Sequence, residues 1–341
     1  MITANLLTGF LGAGKTSLLT RLLALPELAG TAVLVNEIGE VGLDHLLIEE
    51  VDEDVVLLKS GCVCCTIRGD LKDAIVRLHE RSQRGRIPAF DRLVIETTGL
   101  ADPAPVVATL TVDPMLRHHF RMGNVVTVID AVTGVGNLDA YPEAVRQVAS
   151  ADCLVLSKTD LASAEEVDTL ESRLRGLNPT ATIRRSDPCL RPEAALLSDD
   201  LHDARTRRED VGRWLAHAAD AHADPFRHDG IGVFTLEADT PLEWTRFALW
   251  LSLLLNRHGQ DVLRLKGVVH VTGSDTPVVV QGVQHIIHKP LHLEAWPEGR
   301  PATRIVVIAR HLDPAAVVRS FRAFNGLAPT ASVRSMLSSY S

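Results

Sequence analysis

Gly9-Phe10-Leu11-Gly12-Ala13-Gly14-Lys15-Thr16 is the stretch that decides the fold. It satisfies the pattern G-x-x-x-x-G-K-[ST] at every fixed position, and its flanks agree. Residues 2–7 are a short apolar run that predicts a buried strand, and residues 17–25 predict a helix stopped by Pro26. Strand, glycine-rich turn and helix N-terminus together make a cradle for phosphate. Gly9, Gly12 and Gly14 let the backbone turn several N–H groups inward, and the helix end adds partial positive charge. In such a cradle Lys15 would reach the β- and γ-phosphates of a nucleotide, and Thr16 would offer a hydroxyl to Mg²⁺. The chain reads as a nucleotide-binding protein.

Composition narrows the partners. With 341 residues, 46% of them hydrophobic, there is material for one large domain or two modest ones. A net charge of −8 argues against nucleic acid, whose binders carry a basic stripe. No apolar run reaches the roughly 18 residues of a membrane span, and no basic and apolar leader precedes the first strand. The expected setting is cytoplasmic, with no membrane partner. Three of the five cysteines are packed into Cys62, Cys64 and Cys65. That spacing suits metal or redox chemistry better than a disulfide framework. Cys153 and Cys189 read as core or incidental residues.

Compact apolar runs at 31–35, 55–58, 92–95, 124–129 and 153–156 alternate with helical material such as 71–80. This pattern predicts an α/β fold over residues 1–190, a P-loop NTPase with a mostly parallel sheet covered by helices on both faces. Ligands of such sheets sit at the strand C-terminal ends. Asn36, Glu37, Glu96, Asp130 and Ser157 to Asp160 all fall there. Residues 191–229 read as a charged connector with one helix over 211–219; its His202, His217, His222 and His228 read as surface histidines. Residues 230–326 predict a smaller C-terminal α+β domain. Its strands are expected over 231–236, 262–270, 278–283, 291–293 and 305–308, and its helices over 242–255 and 314–324. His285, His288 and His292 read there as surface or packing residues. Residues 327–341 read as a loose tail.

Ser157-Lys158-Thr159-Asp160 follows an apolar strand and is the base-selecting signal. Guanine presents two adjacent N–H donors that one carboxylate can accept together. Asp160 fits that role, while the Lys158 stem can lie along the base. A common guanine motif is Asn-Lys-x-Asp, so Ser157 departs from it. Glu96-Thr97-Thr98-Gly99 supplies the acidic strand end of a Mg²⁺-nucleotide site. There Glu96 would hold Mg²⁺ through water or orient the attacking water, and the Gly99 N–H would approach the γ-phosphate. Asn36-Glu37-Ile38-Gly39-Glu40, with Asp44, lies where a γ-phosphate-sensing switch is expected. The thiolates of Cys62, Cys64 and Cys65 select soft or borderline ions such as Zn²⁺ or Cu(I), and three ligands leave a tetrahedral site open. Glu37, Glu40 or a histidine of the His118-His119 pair are candidates to complete it.

GFLGAGKT, NEIGE, GCVCC, ETTGLADP and SKTD, in this order, resemble the CobW-type GTPases. That family belongs to a group that also holds the urease and hydrogenase metal-insertion GTPases. The resemblance covers the whole chain; Arg264-Leu-Lys266-Gly267 and Val280-Gln-Gly282-Val283 are similar to that family's smaller domain. It implies phosphate contacts at Gly12, Ala13, Gly14, Lys15, Thr16 and Ser17, Mg²⁺ on Thr16 and a switch carboxylate at Glu96. It also implies transition metal on Cys62, Cys64 and Cys65 beside the switches.

The expectation is a GTP-hydrolysing metallochaperone. Lys15, Glu96 and Glu37 are its catalytic candidates, and Gly99, Ser157, Lys158 and Asp160 complete the nucleotide site. Its cofactors would be GTP/GDP and Mg²⁺, its cargo Zn²⁺, and its partners a client metalloenzyme and a second copy in a homo-oligomer. The alternatives are a chaperone of the same family for cobalt (Co²⁺) or iron, a small-molecule phosphotransferase, and a metal sensor that uses GTP only structurally.

Overall fold

The computed structural model describes residues 1–35, 70–186, 194–197, 230–296 and 300–328, and the backbone alone of 47–52, 55–58 and 63–66. The chain divides into two compact units, Met1–Leu201 and His202–Ser341.

The first unit is built on a nine-stranded sheet. Its strands are β1 (Ile2–Gly9), β2 (Thr31–Val35), β3 (Leu47–Asp52), β4 (Val55–Leu58), β5 (Val63–Thr66), β6 (Arg92–Glu96), β7 (Phe120–Asp130), β8 (Cys153–Ser157) and β9 (Thr182–Arg185). They lie in the order β3-β4-β5-β2-β6-β1-β7-β8-β9. Every pairing from β5 to β9 is parallel; β3 and β4 run antiparallel at one edge. The mostly parallel sheet is as predicted. β3, β5 and β9 are additions: β3 and β9 carry charge in place of an apolar run, and β5 is the cysteine stretch itself.

β1 and β2 are buried at nearly every position, as strands covered on both faces must be. One core joins Leu7, Val33, Val94, Val126 and Val155 of the sheet to Leu18, Leu19, Leu22 and Leu23 of helix α1 (Lys15–Leu23). The α1 helix begins two residues earlier than the sequence pattern indicates and ends at Leu23; Pro26 opens a separate 3₁₀ turn, Pro26–Leu28. Helices α2 (Leu71–Gln83), α3 (Pro103–Val112), α4 (Leu116–His119), α5 (Gly134–Ala140), α6 (Pro142–Ser150) and α7 (Ala164–Leu177) complete this unit. A capping box of Ser163 and Glu166 starts α7.

Among the described residues, the second unit is a six-stranded antiparallel sheet with two helices. β10 (Ile231–Ala238), β15 (Thr303–Arg310), β11 (Val262–Val269), β12 (Val278–Val283) and β13 (Ile286–Ile287) follow in that order, and β14 (Leu291–His292) also pairs with β12. Helices α8 (Trp244–His258) and α9 (Pro314–Phe324) give Phe247, Trp250, Leu251, Val317 and Phe321 to its core. Proline at the first helical position and an Asp313 cap on Ala315 N–H fix the start of α9. Residues 211–219, with the connector histidines, lie outside the described residues, as do residues 329–341 of the tail.

Candidate functional site

The phosphate loop leaves β1 at Gly9 and enters α1 at Lys15. A Cβ on Gly9 would meet the Val128 carbonyl oxygen at 2.2 Å, so only glycine lets β1 lie this close to β7. Gly14 caps α1 with φ of 91°, in the left-handed region that favours glycine. No side chain caps this helix and its first turn holds no acidic residue, so its leading N–H groups face the loop. Lys15 is buried, and its ammonium donates to the carbonyls of Gly9 (3.0 Å) and Phe10 (3.3 Å), which holds it inside the loop.

Parallel register brings the next residues alongside. β6 pairs with β1 so that Glu96 lies opposite Leu7, and Glu96 is only 4% exposed. The Thr16 hydroxyl donates to Glu96 Oε1 at 2.6 Å. A hydroxyl beside a carboxylate is the all-oxygen donor set that Mg²⁺ takes, so these two residues fit that ion. Thr97 then donates through its N–H to the Leu7 carbonyl and through its hydroxyl to Thr8, which locks the two strand ends together. A Cβ on Gly99 would stand 2.6 Å from the Leu11 nitrogen, so the segment after β6 lies directly on the phosphate loop.

On the other side, β8 delivers Ser157. Its hydroxyl donates to the Ala13 carbonyl at 2.6 Å and lies 3.3 Å from the Ile129 carbonyl. The serine in place of the usual asparagine therefore ties the turn after β8 to the phosphate loop. Lys158 takes φ of 55°, unusual for a side-chain-bearing residue. Its ammonium pairs with Asp130 Oδ2 at 2.6 Å. Burial alone would raise the Asp130 carboxyl, but the Lys158 ammonium and the Val132 and Thr133 N–H groups outweigh it and hold the pKa below its ordinary value. Asp160 is exposed in the turn that follows. Gly12, Ala13, Gly14, Lys15, Thr16, Ser17, Glu96, Gly99, Ser157, Lys158 and Asp160 thus gather at one end of the sheet.

The metal candidates are placed less completely. Glu37, Glu40 and Cys62 lie outside the described residues. Cys64 and Cys65 belong to strand β5, in register with Val33 and Leu34 of β2, and so with the rows of Val94 and Ile95 in β6. Cys65 is one row short of Glu96, with β2 between their strands. His118 and His119 are not brought to this region: they form the end of α4 ahead of β7, and β2, β6 and β1 lie between β5 and β7. Their rings pack on each other, and that of His119 also packs on His79 of α2. Burial and the neighbouring His119 both lower the His79 pKa. Among the described residues no three His, Cys, Asp or Glu side chains are arranged to hold a metal ion. Cys153 is buried in the core, and Cys189 lies outside the described residues.

Gln147 of α6 was not singled out by any motif. It is 1% exposed, and its amide donates to the carbonyls of Gly99 (3.1 Å) and Ala101 (3.0 Å). The available signal was a polar residue on the stripe of α6 that otherwise buries Ala144, Val145, Val148 and Ala149.

These elements define a P-loop nucleotide-binding protein with an appended antiparallel domain. Residues 3–185 match the model of the CobW/HypB/UreG nucleotide-binding domain, and residues 231–325 match the cobalamin synthesis protein cobW C-terminal domain. The chain belongs to the CobW/HypB/UreG family. It is 32% identical over 333 residues to the zinc chaperone YjiA of Escherichia coli, covering 96% of this chain and 98% of YjiA. It is 30% identical over 354 residues to the zinc chaperone CobW of Pseudomonas aeruginosa, covering 94% and 91% respectively. The crystal structure of zinc-bound YjiA GTPase from E. coli, 28% identical, matches with a TM-score of 0.73 over 95% of this chain and 98% of that one. Among the described residues no helix is long and apolar enough to cross a membrane.

Proposed function

We propose that this chain is a Mg²⁺-dependent GTPase that carries zinc on the thiolates of Cys62, Cys64 and Cys65 and couples its transfer to a client metalloenzyme to the nucleotide state. The observation that carries this reading is the meeting of Lys15, Thr16, Glu96 and Ser157 at the ends of adjacent parallel strands. The zinc chaperones among its relatives support the choice of cargo.

Each residue has a distinct task. The N–H groups of the phosphate loop and the Lys15 ammonium bind the β- and γ-phosphates and neutralise charge that builds up as the terminal bond breaks. Thr16 and Glu96 would hold Mg²⁺, which supplies further neutralisation of the phosphate oxygens. In the alternative role Glu96, anchored by the Thr16 hydroxyl, orients the attacking water instead, with Glu37 as the second carboxylate of the switch. Asp160 accepts both guanine N–H groups. Catalysis is positioning and electrostatics, with no covalent enzyme intermediate. Thiolates bind the zinc cargo, with Glu37 and Glu40 as further oxygen donors, so acidification opposes loading because thiols must ionise to ligate.

Coupling has a thermodynamic signature. If zinc affinity differs between the GTP and GDP forms, zinc must change the GTP-to-GDP affinity ratio by the same factor, typically about 5- to 150-fold. Zinc affinity should be measured by competition with a chelating dye in the GTP-, GDP- and nucleotide-free forms, for wild type and Cys64→Ser. A difference in wild type that collapses in Cys64→Ser is the expected result. Equal affinities in wild type would remove the coupling. Appearance of the γ-phosphate on a small metabolite would replace the GTPase with a phosphotransferase, and tighter loading by Co²⁺ or iron would change the cargo.

A further inference from the structure

We infer that Gln147 is a positioning residue for recognition of the γ-phosphate, acting through the backbone of Gly99 to Ala101. This rests on the GTPase reading above. The segment it holds begins at Glu96, which contacts Thr16, and passes Gly99, which lies against Leu11 of the phosphate loop. The two N–H donors on Gln147 Nε2 meet these two carbonyl acceptors, so the orientation of the amide is dictated by its partners. In a trans peptide the C=O and N–H point opposite ways. Drawing the Gly99 and Ala101 carbonyls toward α6 therefore turns the N–H groups of Leu100 and Asp102 away from it. The amide sets the backbone direction of the whole segment.

Two further contacts fix α6 as the base for that grip, and a third stiffens the segment it holds. The Thr127 hydroxyl of β7 donates to the Gln147 carbonyl at 2.9 Å. The neighbouring Arg146 lies 3.6 Å from the Asp102 carboxylate, which caps α3 by accepting from Ala104 N–H. Ala101 N–H closes a turn onto the Thr98 carbonyl. The Gln147 oxygen accepts no hydrogen bond among the described residues, although it is buried. Burying an amide on those terms is costly, and leucine or methionine would fill a helix–sheet contact more favourably. The cost is accounted for if the two donors are what the site requires.

The γ-phosphate is the only chemical difference between GTP and GDP, and the segment held by Gln147 is the one expected to meet it. Gln147→Met keeps the length and removes both donors; Gln147→Asn keeps the amide but is one methylene too short. Affinities for GDP and a non-hydrolysable GTP analogue should be measured by fluorescence, with steady-state kcat and KM and a thermal melt. GDP affinity should stay within about twofold of wild type, while the GTP-analogue-to-GDP affinity ratio and kcat each fall by roughly tenfold, the scale of losing a buried hydrogen bond. A lower Tm with an unchanged ratio and unchanged kcat would overturn the inference and leave Gln147 as packing. If Gln147→Met does not fold, the same ratio in Gln147→Asn decides. A wild type that fails to bind or hydrolyse GTP would instead overturn the GTPase reading.

Discussion

In the sheet of the first unit, β1, β6, β7 and β8 run parallel, so Gly9, Glu96, Asp130 and Ser157 all arrive at the same edge. In the sheet of the second unit, β10, β15, β11 and β12 run antiparallel, so neighbouring strands end at opposite edges. Three of its buried polar side chains stand mid-strand instead: Lys266 lies opposite Gln281, and Arg264 is two residues from Lys266 on β11. Parallel strands concentrate whatever chemistry their last residues carry. The antiparallel sheet disperses it.

The sharpest break of this comparison is at the converging edge. Lys15→Ala should lower GTP hydrolysis by about 10³-fold or more, since it removes the ammonium proposed to bind the transferred phosphate. Single-turnover assays on folded protein would measure it; near-normal turnover would remove the phosphate-loop assignment. In the second unit, Phe321 is fully buried and packs edge-on against Trp250 at 5.1 Å. Phe321→Ala should destabilise that unit by about 3 kcal/mol. GDP affinity should stay within about twofold if the two cores are independent; a large loss of GDP binding would show that they are not.

Two substitutions separate base reading from scaffold. Asp160→Asn should weaken GTP by roughly 30-fold, the scale of a charged hydrogen-bond pair, and improve binding of the xanthine nucleotide. Isothermal titration with both nucleotides checks it, and an unchanged preference would move base recognition elsewhere. Ser157→Ala removes the hydroxyl from the Ala13 carbonyl and should weaken GTP and GDP alike by about fivefold. That uniform loss contrasts with the selective one expected at Gln147.

The smallest expected effect is the pH dependence from Asp130. Its carboxyl is held below the ordinary 3.8, so the folded protein binds that proton less readily than the unfolded chain does. The resulting stability is complete above the unfolded value and is lost as pH falls through the lower, folded one. Asp130→Asn should therefore flatten part of the acid limb of a Tm-against-pH curve below about pH 4. An acid limb identical to wild type would assign that limb to other carboxylates.

What the sequence determined is what local patterns encode. Eight residues of the phosphate loop carry their own turn chemistry in glycine and their own charge in Lys15. Continuous apolar runs declared buried parallel strands, and SKTD declared the turn after β8. The pattern failed where a strand lacked a continuous apolar run, at β3, β5 and β9, and where a helix began inside the motif, at Lys15. Only the tertiary structure decided which distant groups meet. Ser157 reaches Ala13 across 144 positions of sequence, Thr16 reaches Glu96 across 80, and Gln147 reaches Gly99 across 48. It likewise set His118 and His119 among the elements around α2, three strands away from β5. The physical reason is that periodicity and turn propensity act over a few residues, whereas a hydrogen bond between strand ends depends on sheet order and register, which no short window contains.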